Sequence, residues 1–143
     1  MSGSRESHGN QYSRSATEGR CGGTLLEYPD SGEVTRKLYS VCIARLEDMN
    51  LGTLLPERYF SCLLVLDASD IPDEVISRAT GVLLDRGAVA LCAWGPDCSK
   101  VETLFDTVCV DRELAGTLDY LVTTTSHEDE TLDDALWFLL CCT

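Results

Sequence analysis

The apolar and polar positions of the chain follow two alternating periods from residue 59 onward. Three segments are apolar almost throughout and lie between turn residues, as strands buried on both faces do. The predicted strands cover residues 60–67, 88–94 and 119–125. In the segments between and after them, apolar residues recur every three or four positions, which is the period of an amphipathic helix. The predicted helices cover residues 72–86, 97–108 and 131–141.

Local signals support the ends of two of these helices. Pro72 falls in the first turn of the first helix, and Gly87 suits the left-handed residue that ends it. Thr131, with Asp134 three residues later, forms a variant of the capping box at the start of the last helix. The chain therefore has the element order βαβαβα from residue 59.

Apolar strands that alternate with helices form a parallel sheet covered by the helices, with right-handed crossovers. The predicted fold class is α/β, a small Rossmann-like or flavodoxin-like sheet. Upstream, two β-prone runs flank the turn composition of residues 29–32, which predicts an amino-terminal β-hairpin or an added edge strand. Residues 1–23 are polar and are predicted to be a disordered tail. Residues 24–143 then form a single domain.

The formal net charge of the chain is -13 at pH 7. An acidic body is repelled by phosphate backbones and anionic lipids, which argues against nucleic-acid and membrane partners. An unknown protein, in one form a basic protein, or a small molecule stays open as a partner. The alternative is that the acidic residues only keep the protein soluble.

The cysteine pattern and the amino terminus bear on the compartment. The chain has 8 cysteines, none in a Cys-x-x-Cys pair, and most of them fall inside apolar strand or helix patterns. Reduced, mainly buried thiols are the preferred interpretation, because cytosolic disulfides are rare. Residues 1–20 lack the apolar core of a secretory signal, and no apolar run is long enough to span a bilayer. The predicted location is the cytoplasm.

Ligand sites in parallel sheets lie beyond the carboxyl ends of the strands, so the three strand-to-helix junctions are expected to share one edge. At the second junction, Gly95-Pro96 is expected to end the strand, Asp97 to cap the next helix, and Trp94 to lie under the third junction. The ligand-binding candidates at this crevice are Asp67, Trp94, Asp97, Thr125, His127 and Glu130.

Two blocks, "LCAWGPDCSKVETLFD" and "LVTTTSHEDETLDDALWF", resemble an uncharacterised family of small bacterial proteins. The resemblance covers about residues 38–141 and rests on an Ala-Trp-Gly-x-Asp-Cys junction, a Thr-Thr-x-His-x-x-Glu junction and a closing Trp-Phe helix. Ser126 stands where the family pattern has Trp, and Thr131 where it has Pro. The resemblance implies these motif positions: Ala93, Trp94, Gly95, Asp97, Cys98, Thr123, Thr124, His127, Glu130, Leu132, Trp137 and Phe138. It implies no particular activity or cofactor.

Cys98 and His127 are the candidate catalytic residues. Cys98 lies in the first turn of a helix, where the helix dipole favours a thiolate, and a neighbouring His would complete a nucleophilic pair. The competing interpretation makes Cys98 the first inward residue of the helix, in phase with Val101 and Phe105. No Gly-rich phosphate loop precedes the helix, and the cofactor is unknown.

A divalent metal is the second chemical alternative. Residues 127–130 offer one imidazole and three carboxylates in a single loop, with Asp67, Asp70 and Asp97 at the adjoining junctions. Hard cations prefer such oxygen ligands. The spacing matches no metal-binding template, and acids before a helix are expected from the dipole alone, so no metal ligand is assigned.

The last helix is apolar on nearly every side, with Trp137, Phe138, Leu139 and Leu140 in succession. It either packs against the sheet and the hairpin or forms the contact of a homodimer. Two functions therefore stay open. The preferred function is a non-catalytic binding module with an acidic surface and a strand-end crevice. The alternatives are a small hydrolase or transferase using Cys98 and His127, or a metal-binding domain.

Overall fold

The computed structural model describes residues 23–28, 36–51 and 58–143, with the side chains of residues 23–28 and 36 left out. The tail predicted over residues 1–23 lies outside the described residues except for Gly23. The chain divides into two compact units, Met1–Cys42 and Ile43–Thr143. The single domain predicted over residues 24–143 stays a prediction, since the two units are described separately.

The described part of the first unit is a two-stranded antiparallel sheet. Strand β1 (Gly23–Tyr28) pairs with β2 (Arg36–Val41), and the register places Gly23 opposite Val41. This pairing is the predicted amino-terminal hairpin.

The second unit contains a parallel sheet and three α-helices. A short 3-10 turn over Leu46–Asp48 precedes them. The strands are β3 (Phe60–Val65), β4 (Ala88–Trp94) and β5 (Thr123–Ser126). The helices are α1 (Asp73–Arg86), α2 (Cys98–Leu114) and α3 (Leu132–Cys142). The sheet order is β3-β4-β5 with both pairings parallel, which confirms the α/β fold class with the order βαβαβα.

The helices form two layers around the sheet. Helices α1 and α2 contact each other, as two successive right-handed crossovers in the same direction require. Their core includes Ile76 and Phe105 packed with Leu91 of β4. Helix α3 packs on β3 and β4 and contacts neither α1 nor α2 in the described part of the chain, so it covers the other face of the sheet. Ala135 and Leu139 are its buried residues.

Most helix and strand ends lie within two residues of the prediction, including β3, which ends at Val65 rather than at residue 67, and two differ by more. Helix α2 continues six residues beyond the predicted end, where the guanidinium of Arg112 binds the Asp85 carboxylate at 2.6 Å and the Gly81 carbonyl at 3.3 Å. Strand β5 starts at Thr123 rather than at residue 119. Before it, the Tyr120 hydroxyl donates to the Leu84 carbonyl at 2.9 Å, which ties the segment to α1.

Two of the three predicted helix signals are found in the structure as expected, and Pro72 differs by one position. Gly87 is left-handed with φ 98° and follows the last residue of α1. Thr131 and Asp134 make both bonds of a capping box at the start of α3. Pro72 precedes α1 as its N-cap residue instead of lying in its first turn.

Seven of the cysteines lie in the described residues, and all seven are free thiols. Cys92 and Cys98 are buried, as predicted. The expectation of mainly buried thiols is wrong for Cys42, Cys141 and Cys142, which are exposed. Across the described residues, no helix combines the length and the apolar character that crossing a bilayer requires.

Candidate functional site

The three strand-to-helix junctions meet at one edge of the sheet, as predicted. The backbone N–H of Ala68 donates to the Pro96 carbonyl at 2.9 Å, which joins the first junction to the second. The N–H of His127 donates to the Ala93 carbonyl at 3.0 Å, which joins the third junction to the second. Backbone bonds thus fix the relative positions of all three loops.

Gly95 makes this close approach possible. Its φ is 122°, a conformation that residues with a side chain rarely adopt. A Cβ atom at this position would lie 2.1 Å from the carbonyl oxygen of Leu66. Strand β4 ends at Trp94, directly before this glycine, as predicted.

Asp97 does not cap α2 as predicted. It occupies the N-cap position, but its φ is 58° and its side chain makes no capping hydrogen bond. N-cap residues that cap through their side chains have extended backbone angles, and the left-handed angle places the Asp97 carboxylate differently. The sequence identified the position of the cap and missed the conformation, because the tight Gly95-Pro96 turn sets it.

The His127 side chain is buried at the edge and contacts neighbouring side chains through both of its ring nitrogens. Its imidazole is 5% exposed; Nδ1 lies 2.8 Å from Glu130 Oε2 and Nε2 lies 3.1 Å from Thr125 Oγ1. A carboxylate only accepts hydrogen bonds, so we assign a hydrogen to Nδ1. Nε2 lies within hydrogen-bonding distance of the Thr125 hydroxyl. Both ring nitrogens are occupied.

Trp94 and Phe138 enclose the His127 loop. The indole Nε1–H of Trp94 donates to the backbone carbonyl of Glu130 at 2.9 Å, which confirms that Trp94 lies under this loop. The Phe138 ring lies 4.9 Å from the imidazole, centroid to centroid, with the planes tilted by 56°. The resemblance includes Phe138 among its motif positions, and the structure shows that it covers His127 from α3.

The Cys98 thiol lies near the His127 backbone N–H, and the two imidazole nitrogens of His127 contact Glu130 and Thr125. The Cys98 side chain is fully buried and belongs to the core formed with Val101 and Phe105. Burial raises the pKa of the Cys98 thiol, and the backbone N–H of His127 offsets this only in part. Cys98 therefore favours the neutral thiol, whereas a nucleophilic cysteine needs a thiolate.

Exposed acidic residues surround these buried side chains at the edge of the sheet. We define the acidic edge as Asp67, Asp70, Glu128 and Asp129, all of which are exposed. The Asp67 carboxylate accepts the side-chain and backbone hydrogen bonds of Ser69, which lower its pKa. These four residues therefore form an anionic surface.

Lys100 is a residue of the edge that the sequence analysis missed. Its ammonium donates to the Ile71 carbonyl at 2.7 Å and lies 3.3 Å from the Asp73 carboxylate. Lys100 thus links the start of α2 to the first junction. Its ammonium is bound by backbone carbonyls and by one carboxylate. In the sequence, the only indication of this link was the position of Lys100 in the first turn of the predicted helix, next to the strand-to-helix junctions.

Two hydroxyls of β5 join the sheet to α2. Thr124 donates to the Asp106 carboxylate and Ser126 donates to Glu102. Ser126 stands at the position where the family pattern has Trp, so this chain uses a short polar contact there. In the sequence, these contacts were indicated only by the alternation of Thr124 and Ser126, which places both hydroxyls on the same face of β5.

The described residues hold no cluster of metal-ligating side chains at the edge, and a depression that they form lies elsewhere. Within the described residues, no three His, Cys, Asp or Glu side chains are grouped so that they could hold a metal ion. A shallow depression of about 370 Å³ lies on the solvent face of α2, lined by Thr103, Asp106, Thr107, Val110 and Asp111. The divalent-metal alternative thus gains no geometric support.

The comparisons with known proteins place the chain in a family. A family profile described as Domain of unknown function (DUF7684) matches residues 41–143. The chain belongs to this family. The match covers the whole parallel sheet and the three helices, and it agrees with the resemblance seen over residues 38–141. No match was found among curated proteins or among solved structures.

Proposed function

We propose that the protein is a non-catalytic binding module that recognises a basic protein through its acidic edge. The observation that carries the proposal is the burial of the candidate chemical groups. The His127 imidazole is 5% exposed and lies against Phe138, and the Cys98 thiol is fully buried. An enzyme needs a reactive group that reaches its substrate.

The acidic edge supports recognition instead. Its four acids project from loops that are held by backbone bonds, so little ordering is needed when a partner binds. Complementary charge steers a basic protein to such a surface and raises the association rate. The seven free thiols suit a reducing compartment, and we place the protein in the cytoplasm.

One capture experiment tests recognition. Wild type, an edge variant (Asp67→Asn, Asp70→Asn, Glu128→Gln and Asp129→Asn together) and a control variant are used as bait in extract of the native host. The control neutralises exposed acids of α2 away from the edge, Asp111→Asn and Glu113→Gln. We expect wild type and control to retain the same basic protein, identified by mass spectrometry, and the edge variant to lose it. Retention by the edge variant would refute the proposal.

A hydrolase stays as the alternative because of one geometric feature. Thr125, His127 and Glu130 follow the order hydroxyl, imidazole, carboxylate that catalytic triads use. The burial of His127 under Phe138 favours a structural role for this network. A fluorophosphonate probe labels activated hydroxyl nucleophiles, so labelling of wild type that Thr125→Val abolishes would favour the hydrolase. We expect no labelling at Thr125.

Thiol reactivity tests the Cys98 form of the enzyme alternative. Iodoacetamide at neutral pH should modify exposed Cys141 quickly and buried Cys98 only at the rate of unfolding. The ratio of the two modified peptides gives the measurement within one sample. Modification of Cys98 as fast as Cys141 in the folded protein would contradict the non-catalytic proposal.

A further inference from the structure

The outward side of α3 exposes a large aromatic residue. Trp137 is 62% exposed, although tryptophan is highly buried on average in folded proteins. Helix α3 buries Ala135 and Leu139 against the sheet, and Trp137 projects from the opposite side of the helix. We call this outward side of the helix the Trp137 face.

The sequence that forms this side of α3 is acidic. The chain contains no Lys or Arg after Arg112. The Trp137 face carries Asp133 one helical turn before Trp137, and the loop that leads into α3 carries Glu128 and Asp129 of the acidic edge. This loop therefore joins the Trp137 face to two of the four acids of the acidic edge.

We infer that the Trp137 face of α3 is the anchor site for a basic, amphipathic segment of the partner protein. This inference rests on the proposed function and names the second half of its binding surface. Exposed Trp side chains are frequent binding hot spots, because they bury a large apolar area at low conformational cost. A segment with basic residues beside its apolar ones would pair with Asp133 and with the acidic edge while covering the indole.

Charge distinguishes this occupant from a second copy of the chain. In a two-fold symmetric dimer the same patch meets itself. Such a contact through α3 would bring Asp133 and the acidic edge of one copy close to those of the other, with no Lys or Arg after Arg112 to offset them. Like charges brought together at an interface cost binding energy. A basic segment bound at the same face would be attracted by these acids instead of repelled by them.

The test uses a defined probe with the full chain. A fluorescein-labelled amphipathic helix of Lys and Leu is titrated with the protein and followed by fluorescence anisotropy, and a matched Glu and Leu helix serves as the probe control. We expect the basic probe to bind, to weaken as salt rises, and to outcompete the acidic probe. Absence of binding by the basic probe, or equal binding of both, would overturn the inference.

Paired variants locate the site. Trp137→Ala should weaken the basic probe about 30-fold, as expected of a binding hot spot. Leu114→Ala, at an 83% exposed residue of α2 on the other face of the sheet, should leave affinity within about twofold. Asp133→Asn should weaken binding and Asp111→Asn should not. Circular dichroism with unchanged melting temperatures checks that every variant folds.

Two outcomes would overturn the inference in distinguishable ways. If Trp137→Ala binds the probe as wild type does while the edge variant loses it, the anchor is not α3, and the proposed function stands. If wild type sediments as a dimer that Trp137→Ala converts to a monomer, a second copy is the occupant of the face. Loss of probe binding in both the Trp137 and the edge variants supports one continuous surface.

Discussion

At the scale of single residues, Gly95 decides how the junctions meet. A turn that ends a strand and starts a helix within three residues brings β4 against the backbone of Leu66. Only a residue without a side chain fits there, and only glycine adopts a φ of 122° without strain. The sequence indicated the break at Gly95-Pro96 but not the neighbour, since Leu66 follows β3 and is far from Gly95 along the chain.

Substitution of two glycines separates steric contact from backbone conformation. Gly95→Ala should lower the free energy of unfolding by about 3 kcal/mol or more, because it combines an unfavourable φ with a clash against backbone. Gly116→Ala should cost about 1 kcal/mol, since its φ of 68° is left-handed but nothing lies within 4 Å of the added Cβ. Urea unfolding followed by circular dichroism measures both. Equal losses would show that the clash is relieved by local movement.

At the scale of secondary-structure elements, His127 joins β5 to α3. The ring binds Thr125 at the end of β5 and Glu130 just before α3, and it contacts Phe138 on α3. Helix α3 otherwise buries little beyond Ala135 and Leu139. The histidine network is therefore expected to hold α3 in place against the sheet.

Removal of this histidine should loosen α3 more than the rest of the fold. His127→Ala should cost about 2 to 4 kcal/mol, because it opens a cavity and leaves polar partners unpaired. Hydrogen exchange should then accelerate in the α3 amides more than in β4. Glu128→Gln, at an exposed acid of the same loop, is the control and should change neither quantity. Uniform acceleration across the sheet would show that His127 supports the whole core instead.

The elements were predictable from local pattern, whereas their contacts were only partly so. Apolar runs such as β4 and signals such as Gly87 or the Thr131 capping box act within a few residues, and the structure contains them where expected. The predicted Asp97 cap was wrong because the Gly95-Pro96 turn holds that residue at a left-handed φ. Likewise, the burial of Cys98 followed from helix phase, but the pairing of His127 with Glu130 and Thr125 did not.

At the scale of the whole molecule, acid and apolar surface are arranged asymmetrically. The acidic edge lies at the carboxyl ends of the strands and the Trp137 face lies on the outer side of α3, whereas Arg112 and Lys100 of α2 bind α1 and the first junction. A net charge of -13 makes copies of the chain repel each other electrostatically. The same charge leaves the molecule open to basic partners, which is the property that the proposed function uses.

The core also carries titratable groups whose burial links stability to pH. Burial raises the pKa of Cys62 from its ordinary 9.0 to about 12, and repulsion by Cys92 adds to this. Burial also raises the pKa of Cys92, Cys98, Cys109 and Tyr120. In each case the folded protein binds the proton more tightly than the unfolded chain does.

The sign of the effect follows from that difference. Below about pH 9 both states keep the Cys62 proton, and its contribution to stability is fully present. Between about pH 9 and 12 the unfolded chain loses the proton first, so stability should fall by about 1.4 kcal/mol per pH unit for this one thiol. Cys62→Ala should lower stability at pH 7 through lost packing but should show a shallower decline above pH 9. Cys141→Ala, at an exposed thiol, should retain the wild-type slope. Urea unfolding at intervals from pH 7 to 11 supplies the comparison, and parallel slopes for wild type and Cys62→Ala would mean that this thiol does not couple folding to pH.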